Sequence, residues 1–133
     1  MMTITVFLVD DHAVVRDGLR VLLGSQPDIE VIGDAADGRS AIQQIEQLRP
    51  HIVVMDIAMP EMNGIETLKA IKKNHPDIQV IMVSSLTSEG ADITLKAMQL
   101  GATDFILKAG GDATAAKNID NIKVILLSKI KRA

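Results

Sequence analysis

The chain has 133 residues, 47 % of them apolar, with a net charge of −3 and a pI near 5.5. That length and apolar share suit one buried core, so residues 1–133 read as a single domain. The acidic balance gives no electrostatic footprint for nucleic acid, and the absence of cysteine excludes disulfides and thiolate metal sites. No signal-peptide pattern opens the chain and no apolar run is long enough to span a bilayer, so the expected location is the cytoplasm, with no membrane contact.

Ile4 to Val9 is a short, continuous β-rich run, and Val15, Leu19 and Leu22 follow it at helical spacing as far as Gly24 and Pro27. Glu30 to Gly33 reads as a second strand. After a turn at Asp37-Gly38, Ala41, Ile45 and Leu48 form a helical stripe that stops at Pro50. Ile52 to Met55 makes a third strand, ending on Asp56, and a helix after Gly64 carries Ile65, Leu68 and Ile71. Val80 to Val83 is a fourth strand; Ala91, Leu95 and Met98 mark a fourth helix ending at Gly101. Phe105-Ile106-Leu107 is a fifth strand, and Ile119, Ile122, Leu126 and Ile130 stripe a last helix. Val124, Ile125 and Leu127 on that helix point elsewhere, either to a broad core face or to a partner. The basic cluster Lys129 to Arg132 is placed to favour the dipole at its carboxyl end.

Continuous apolar strands alternating with helices imply a parallel sheet covered on both faces. Right-handed crossovers then give a doubly wound, flavodoxin-like α/β fold of five strands, expected in the order 2-1-3-4-5. In such a sheet, ligands bind beyond the carboxyl ends of the strands where the order reverses, here between strands 1 and 3. Strand 1 runs into Asp10-Asp11 and strand 3 into Asp56, so three carboxylates converge and repel one another unless a cation intervenes. Mg²⁺ suits such a site, because it takes one or two carboxylates and keeps positions for water or phosphate oxygens. Asp10 or Asp11 alone could instead cap the following helix, the commoner fate of an aspartate after a strand, whereas Pro60 and Gly64 delay the helix after Asp56. Ser84 at the end of strand 4 and Lys108 at the end of strand 5 point to the same crevice, although capping and solvation would explain each alone. Acids, hydroxyl and lysine together are equipment for stabilising a phosphoryl group. His12, His51 and His75 show no metal-ligand spacing and read as surface or strand-start residues.

At these residues the chain resembles the receiver domain of two-component response regulators. The resemblance rests on VDDH after strand 1, VVMDIAMPEMNG around strand 3, VSS after strand 4 and DFILK on strand 5, in that order. It implies that Asp56 accepts a phosphoryl group from a histidine kinase. Asp10, Asp11, Asp56 and the backbone carbonyl of Ala58 would hold Mg²⁺, Ser84 and Lys108 would hold phosphate oxygens, and Phe105 and Ser84 would form the switch. The surface of helix 4, strand 5 and helix 5 would then shift between two states, read by an output domain, a downstream protein or a second copy of the chain. DDHAVVRDGLRVLL looks like regulators with a helix-turn-helix output, whereas SSLTSEGADITLKAMQLGATDFILK is more similar to the receiver half of chemotaxis protein-glutamate methylesterases. The second pattern is the less generic. Neither output domain is legible in the chain, which is therefore expected to assist its own phosphorylation without being an enzyme.

Other classes fit less well. A Mg²⁺-dependent phosphohydrolase with an aspartate nucleophile would show an Asp-x-Asp arrangement and a cap, and a flavin module would need a phosphate-cradling loop after strand 1. Two departures from the receiver pattern matter. Ala109 stands where proline usually follows the lysine; a cis bond there costs about 2.5–4 kcal/mol, so a trans bond with a displaced loop, or a strained cis bond, is expected. Ala58 and Leu86, two residues beyond Asp56 and Ser84, are apolar and cannot orient an attacking water. Slow self-dephosphorylation follows, and rapid loss of label from the isolated, Mg²⁺-bound protein would contradict it.

Overall fold

The computed structural model describes residues 3–56, 64–84 and 88–107. They form β1 (Ile4–Val9), α1 (Ala13–Gly24), β2 (Ile29–Ala35), α2 (Gly38–Leu48), β3 (Ile52–Asp56), α3 (Gly64–Asn74), β4 (Gln79–Ser84), α4 (Ser88–Gln99) and β5 (Asp104–Leu107). The strands make one parallel sheet in the order β2-β1-β3-β4-β5, as the alternation of elements predicts. The expected last helix, with its apolar and basic residues, lies outside the described residues.

The inner strands β1, β3 and β4 read as nearly unbroken apolar runs because their two faces feed two separate cores. Phe7, Val9, Val53, Met55, Val80 and Met82 pack with Ala41 and Ile45 of α2, Ile65, Leu68 and Ile71 of α3, and Ala97 of α4. Val6, Leu8, Ile52, Val54, Ile81, Val83 and Ile106 turn the other way, onto Val15, Leu19 and Leu23 of α1. Burying a side chain of this size contributes about 1.5–3 kcal/mol, so the central strands are the most costly part of the fold to disturb.

Local chemistry fixes the helix ends. Asp37 caps α2, its Oδ1 accepting the Ser40 N–H at 2.8 Å. The other end of α4 is closed by Gly101, whose φ of +108° suits glycine; Ala102 N–H reaches Ala97 O at 3.1 Å and Gly101 N–H reaches Met98 O at 3.3 Å. That pair of bonds is a Schellman motif. Beside α3, Lys72 Nζ donates to the Ile78 carbonyl at 2.7 Å. Burial holds its ammonium below the usual lysine range, and the nearby Asp77 carboxylate pulls the other way.

Two stripes differ from the sequence expectation. Leu95 and Met98 of α4 are exposed, whereas Ala97 is fully buried. At about 100° per residue, Leu95 stands roughly 160° around the helix from Ala97 and so faces away from the buried side. Leu48 is likewise half exposed, because α2 docks chiefly through Ala41 and Ile45.

β2 is longer than the sequence reading and carries a bulge: Val6 pairs with Val31 but Phe7 pairs with Gly33, leaving Ile32 as an extra residue. A Cβ at Gly33 would lie 2.9 Å from Phe7 Cε2 and 3.1 Å from Leu48 Cδ1. Phe7 is fully buried and cannot yield, so Gly33→Ala is expected to destabilise the fold by about 1–3 kcal/mol. A urea midpoint equal to that of the parent protein would contradict this.

Candidate functional site

The site begins with a register. Val9 of β1 pairs with Met55 of β3, so the next residue of each strand, Asp10 and Asp56, lands level at the carboxyl edge. Both are buried, each only 4 % exposed. Asp10 continues the ladder by donating its N–H to Ala35 O at 3.1 Å. Beyond it the chain turns, and Asp10 Oδ1 accepts the His12 N–H at 2.8 Å. The N-cap of α1 is His12, without a side-chain cap bond, so neither Asp10 nor Asp11 is spent capping that helix.

Ligating atoms of Asp10, Asp11, His12 and Asp56 all lie within 4.8 Å of one another. The three predicted carboxylates are thus brought together, and His12 joins them against the expectation. Its Nδ1 is 3.2 Å from Asp10 Oδ1 and 3.1 Å from Asp11 Oδ1. Spacing rules for histidine pairs miss such a residue, because its partners are its own immediate neighbours.

Behind the acids lies a second set of groups that the sequence reading did not single out. Arg16 Nη1 donates to the Asp10 carbonyl at 2.7 Å, and its Nε lies 3.7 Å from Asp34 Oδ1. Arg20 clasps Asp34 Oδ2 through Nη2 at 2.6 Å and Nε at 3.1 Å, while Gln44 donates to the Asp34 carbonyl at 3.2 Å. A chain of charges therefore ties the Asp10 turn to α1, β2 and α2. The available signal was helical spacing, since Arg16, Leu19 and Leu23 share one face of α1.

Other predicted residues are placed less completely. Ser84 is the last residue of β4, paired with Leu107 of β5. Phe105 pairs with Met82 and is 36 % exposed, at the sheet edge beside β4. Ala58, Leu86, Lys108 and Ala109 lie outside the described residues, so the metal-binding carbonyl, the phosphate-binding lysine and the Lys108-Ala109 bond do too.

The response regulator receiver domain model matches residues 6–128. The chain belongs to the response regulator receiver family. Among curated relatives, the protein-glutamate methylesterase/protein-glutamine glutaminase of Thermotoga maritima is 46 % identical over 130 residues, 98 % of this chain and 37 % of that protein. The corresponding protein of Pyrococcus horikoshii is 43 % identical over 130 residues, 98 % of this chain and 34 % of its own length. This receiver chain thus spans about a third of the length of such relatives. The crystal structure of the response regulator domain of Thermotoga maritima CheB superposes with a TM-score of 0.88 at 46 % identity, covering 98 % of this chain and 96 % of that one. A receiver domain of the putative regulator NarL from Mycobacterium tuberculosis superposes at 0.77 with 28 % identity over the whole of both chains. The methylesterase-like pattern in α4 and β5 therefore outweighs the helix-turn-helix-like pattern in α1.

Among the described residues, no helix of this receiver is long and apolar enough to cross a membrane. Arg16→Met would strip the Asp10 carbonyl of a charged donor and leave Asp34 with Arg20 as its remaining arginine. A loss of about 1–3 kcal/mol is expected from denaturant unfolding, with Arg16→Lys recovering part of it. An unchanged midpoint in the methionine variant would show that the network adds nothing.

Proposed function

We propose that this receiver is a phosphoacceptor module of a two-component relay, taking a phosphoryl group from a histidine kinase onto Asp56. The observation that carries the reading is Asp56 itself: a carboxylate 4 % exposed at the end of a fully buried strand, with Asp10 and Asp11 beside it. A rigid strand holds this nucleophile in one orientation, and phosphoryl transfer asks chiefly for positioning and charge neutralisation. An Asp56 carboxylate oxygen attacks phosphorus, a P–O bond forms, and the P–N bond to the kinase histidine breaks.

The donor set fits a hard divalent cation, since the converging carboxylates are oxygen ligands of the kind Mg²⁺ prefers. Asp10, Asp11, Asp56 and the carbonyl of Ala58 would hold it, and when bound it supplies positive charge opposite the incoming phosphoryl oxygens. The His12 ring is 63 % exposed on its side chain, so it can swing outward and release the Asp10 and Asp11 oxygens it contacts. Arg16 keeps the Asp10 backbone in place while that happens. Ser84 and Lys108 hold the transferred phosphoryl oxygens, and Phe105, already at the surface, repacks as Ser84 moves toward them.

The whole chain acts as one domain in the cytoplasm, without an active site of its own for an external substrate. Its readout is the surface formed by α4, β5 and the expected last helix, where Leu95, Met98 and Phe105 already expose apolar area. The relatives that are methylesterase/glutaminases support a methylesterase as the output that this surface controls. A second copy of the chain is the other partner of that face.

Incubation with Mg²⁺ and a small phosphodonor, followed by mass measurement and peptide mapping, tests the reading. One phosphoryl group per chain is expected on Asp56, absent from Asp56→Asn and reduced at least tenfold without the divalent ion. Repeated turnover of a phosphate ester without lasting label would instead identify a phosphohydrolase.

A further inference from the structure

The rim opposite the acids carries a second feature. The amino ends of β1, β3 and β4 border a cavity of about 320 Å³, the size at which small-molecule sites begin, roughly 300–1,000 Å³. We propose that this cavity binds a small organic carboxylate with an apolar body, held by Arg49 and His51.

Ile4, Ile52 and Ile78 supply apolar wall, and Arg49, His51 and His75 bring nitrogen donors to the same lining. Arg49 terminates α2 in the left-handed conformation, with φ 49° and ψ 64°, its N–H donating to Ile45 O at 2.8 Å. Among the described residues it is the one non-glycine with positive φ. Glycine or asparagine is the usual occupant there, because an L side chain with a Cβ is strained. Strain retained at a residue lining a cavity points to a use for its side chain. A guanidinium offers a planar fork that matches a carboxylate with two parallel hydrogen bonds.

His51 is set by its neighbours. Its Nδ1 accepts the Thr5 N–H at 3.0 Å and lies 3.1 Å from Thr5 Oγ1, while the His51 N–H donates to that Oγ1 at 3.0 Å. An acceptor Nδ1 places the ring hydrogen on Nε2, so the donor His51 offers is fixed. Asp77 also lines the cavity, and the nearby Lys72 ammonium lies within the reach of its field. A guanidinium and an imidazole N–H in the lining, beside an apolar wall, select an anion with a hydrocarbon body over a bare inorganic ion. The carboxylate could belong to a free acid or to the carboxyl terminus of a peptide.

Titration of ¹⁵N-labelled protein with N-acetyl-leucine tests the proposal, with N-acetyl-leucinamide as the uncharged control. Saturable shifts are expected at residues 3–5, 49–52 and 75–79, with none from the amide. Arg49→Gly removes the fork and relieves the backbone, so it should raise Tm by about 3 °C while weakening binding about tenfold or more. A tripeptide ending in leucine that binds more tightly than N-acetyl-leucine assigns the ligand to a chain terminus, and weaker binding assigns it to a free acid. Absence of saturable shifts, an equal response to the amide, or parental affinity in Arg49→Gly overturns the proposal. None of these readouts depends on phosphorylation of Asp56.

Discussion

The level pairing of β1 with β3 is the constraint on which the site depends. With Val9 opposite Met55, the two strands deliver Asp10 and Asp56 side by side at the carboxyl edge. Both carboxylates are buried there, and a charge is costly to desolvate without a counter-charge or hydrogen bonds. The fold supports the acids in two ways. Backbone N–H and imidazole nitrogen of His12 reach the Asp10 carboxylate, and the Arg16 guanidinium reaches the Asp10 carbonyl. The arrangement keeps negative charge concentrated at one point without letting the turn that carries it drift.

The parallel sheet and its order were legible because the inner strands had to satisfy two helical layers at once, which leaves apolar runs in the chain. Asp10, Asp11 and Asp56 were legible for a related reason: each stands where such a run stops. The polar groups around them were not. Arg16 and Arg20 look like ordinary charges on an exposed helix until Asp34 is placed beside them by β2, which is a long-range fact. His12 was missed because adjacency in sequence is a weak guide to whether a ring folds back on its neighbours.

α4 shows the limit of periodicity. Leu95 and Met98 weigh heavily in any stripe drawn from hydrophobicity, yet both are exposed. Alanine at position 97 is fully buried instead. Leu95 and Met98 on α4 and Phe105 on the neighbouring β5 thus leave large apolar side chains exposed.

The extra residue in β2 has a handedness of its own. Paired residues of neighbouring parallel strands face the same layer, and facing alternates along a strand. Asp34 is paired with Leu8, which points toward α1, and so meets Arg16 and Arg20. Were Ile32 not looped out, Asp34 would fall opposite Val9 and face α2 and α3 instead, on the side away from both arginines. One surplus residue thus inverts the parity of the strand's last turn of side chains and decides which layer receives the aspartate.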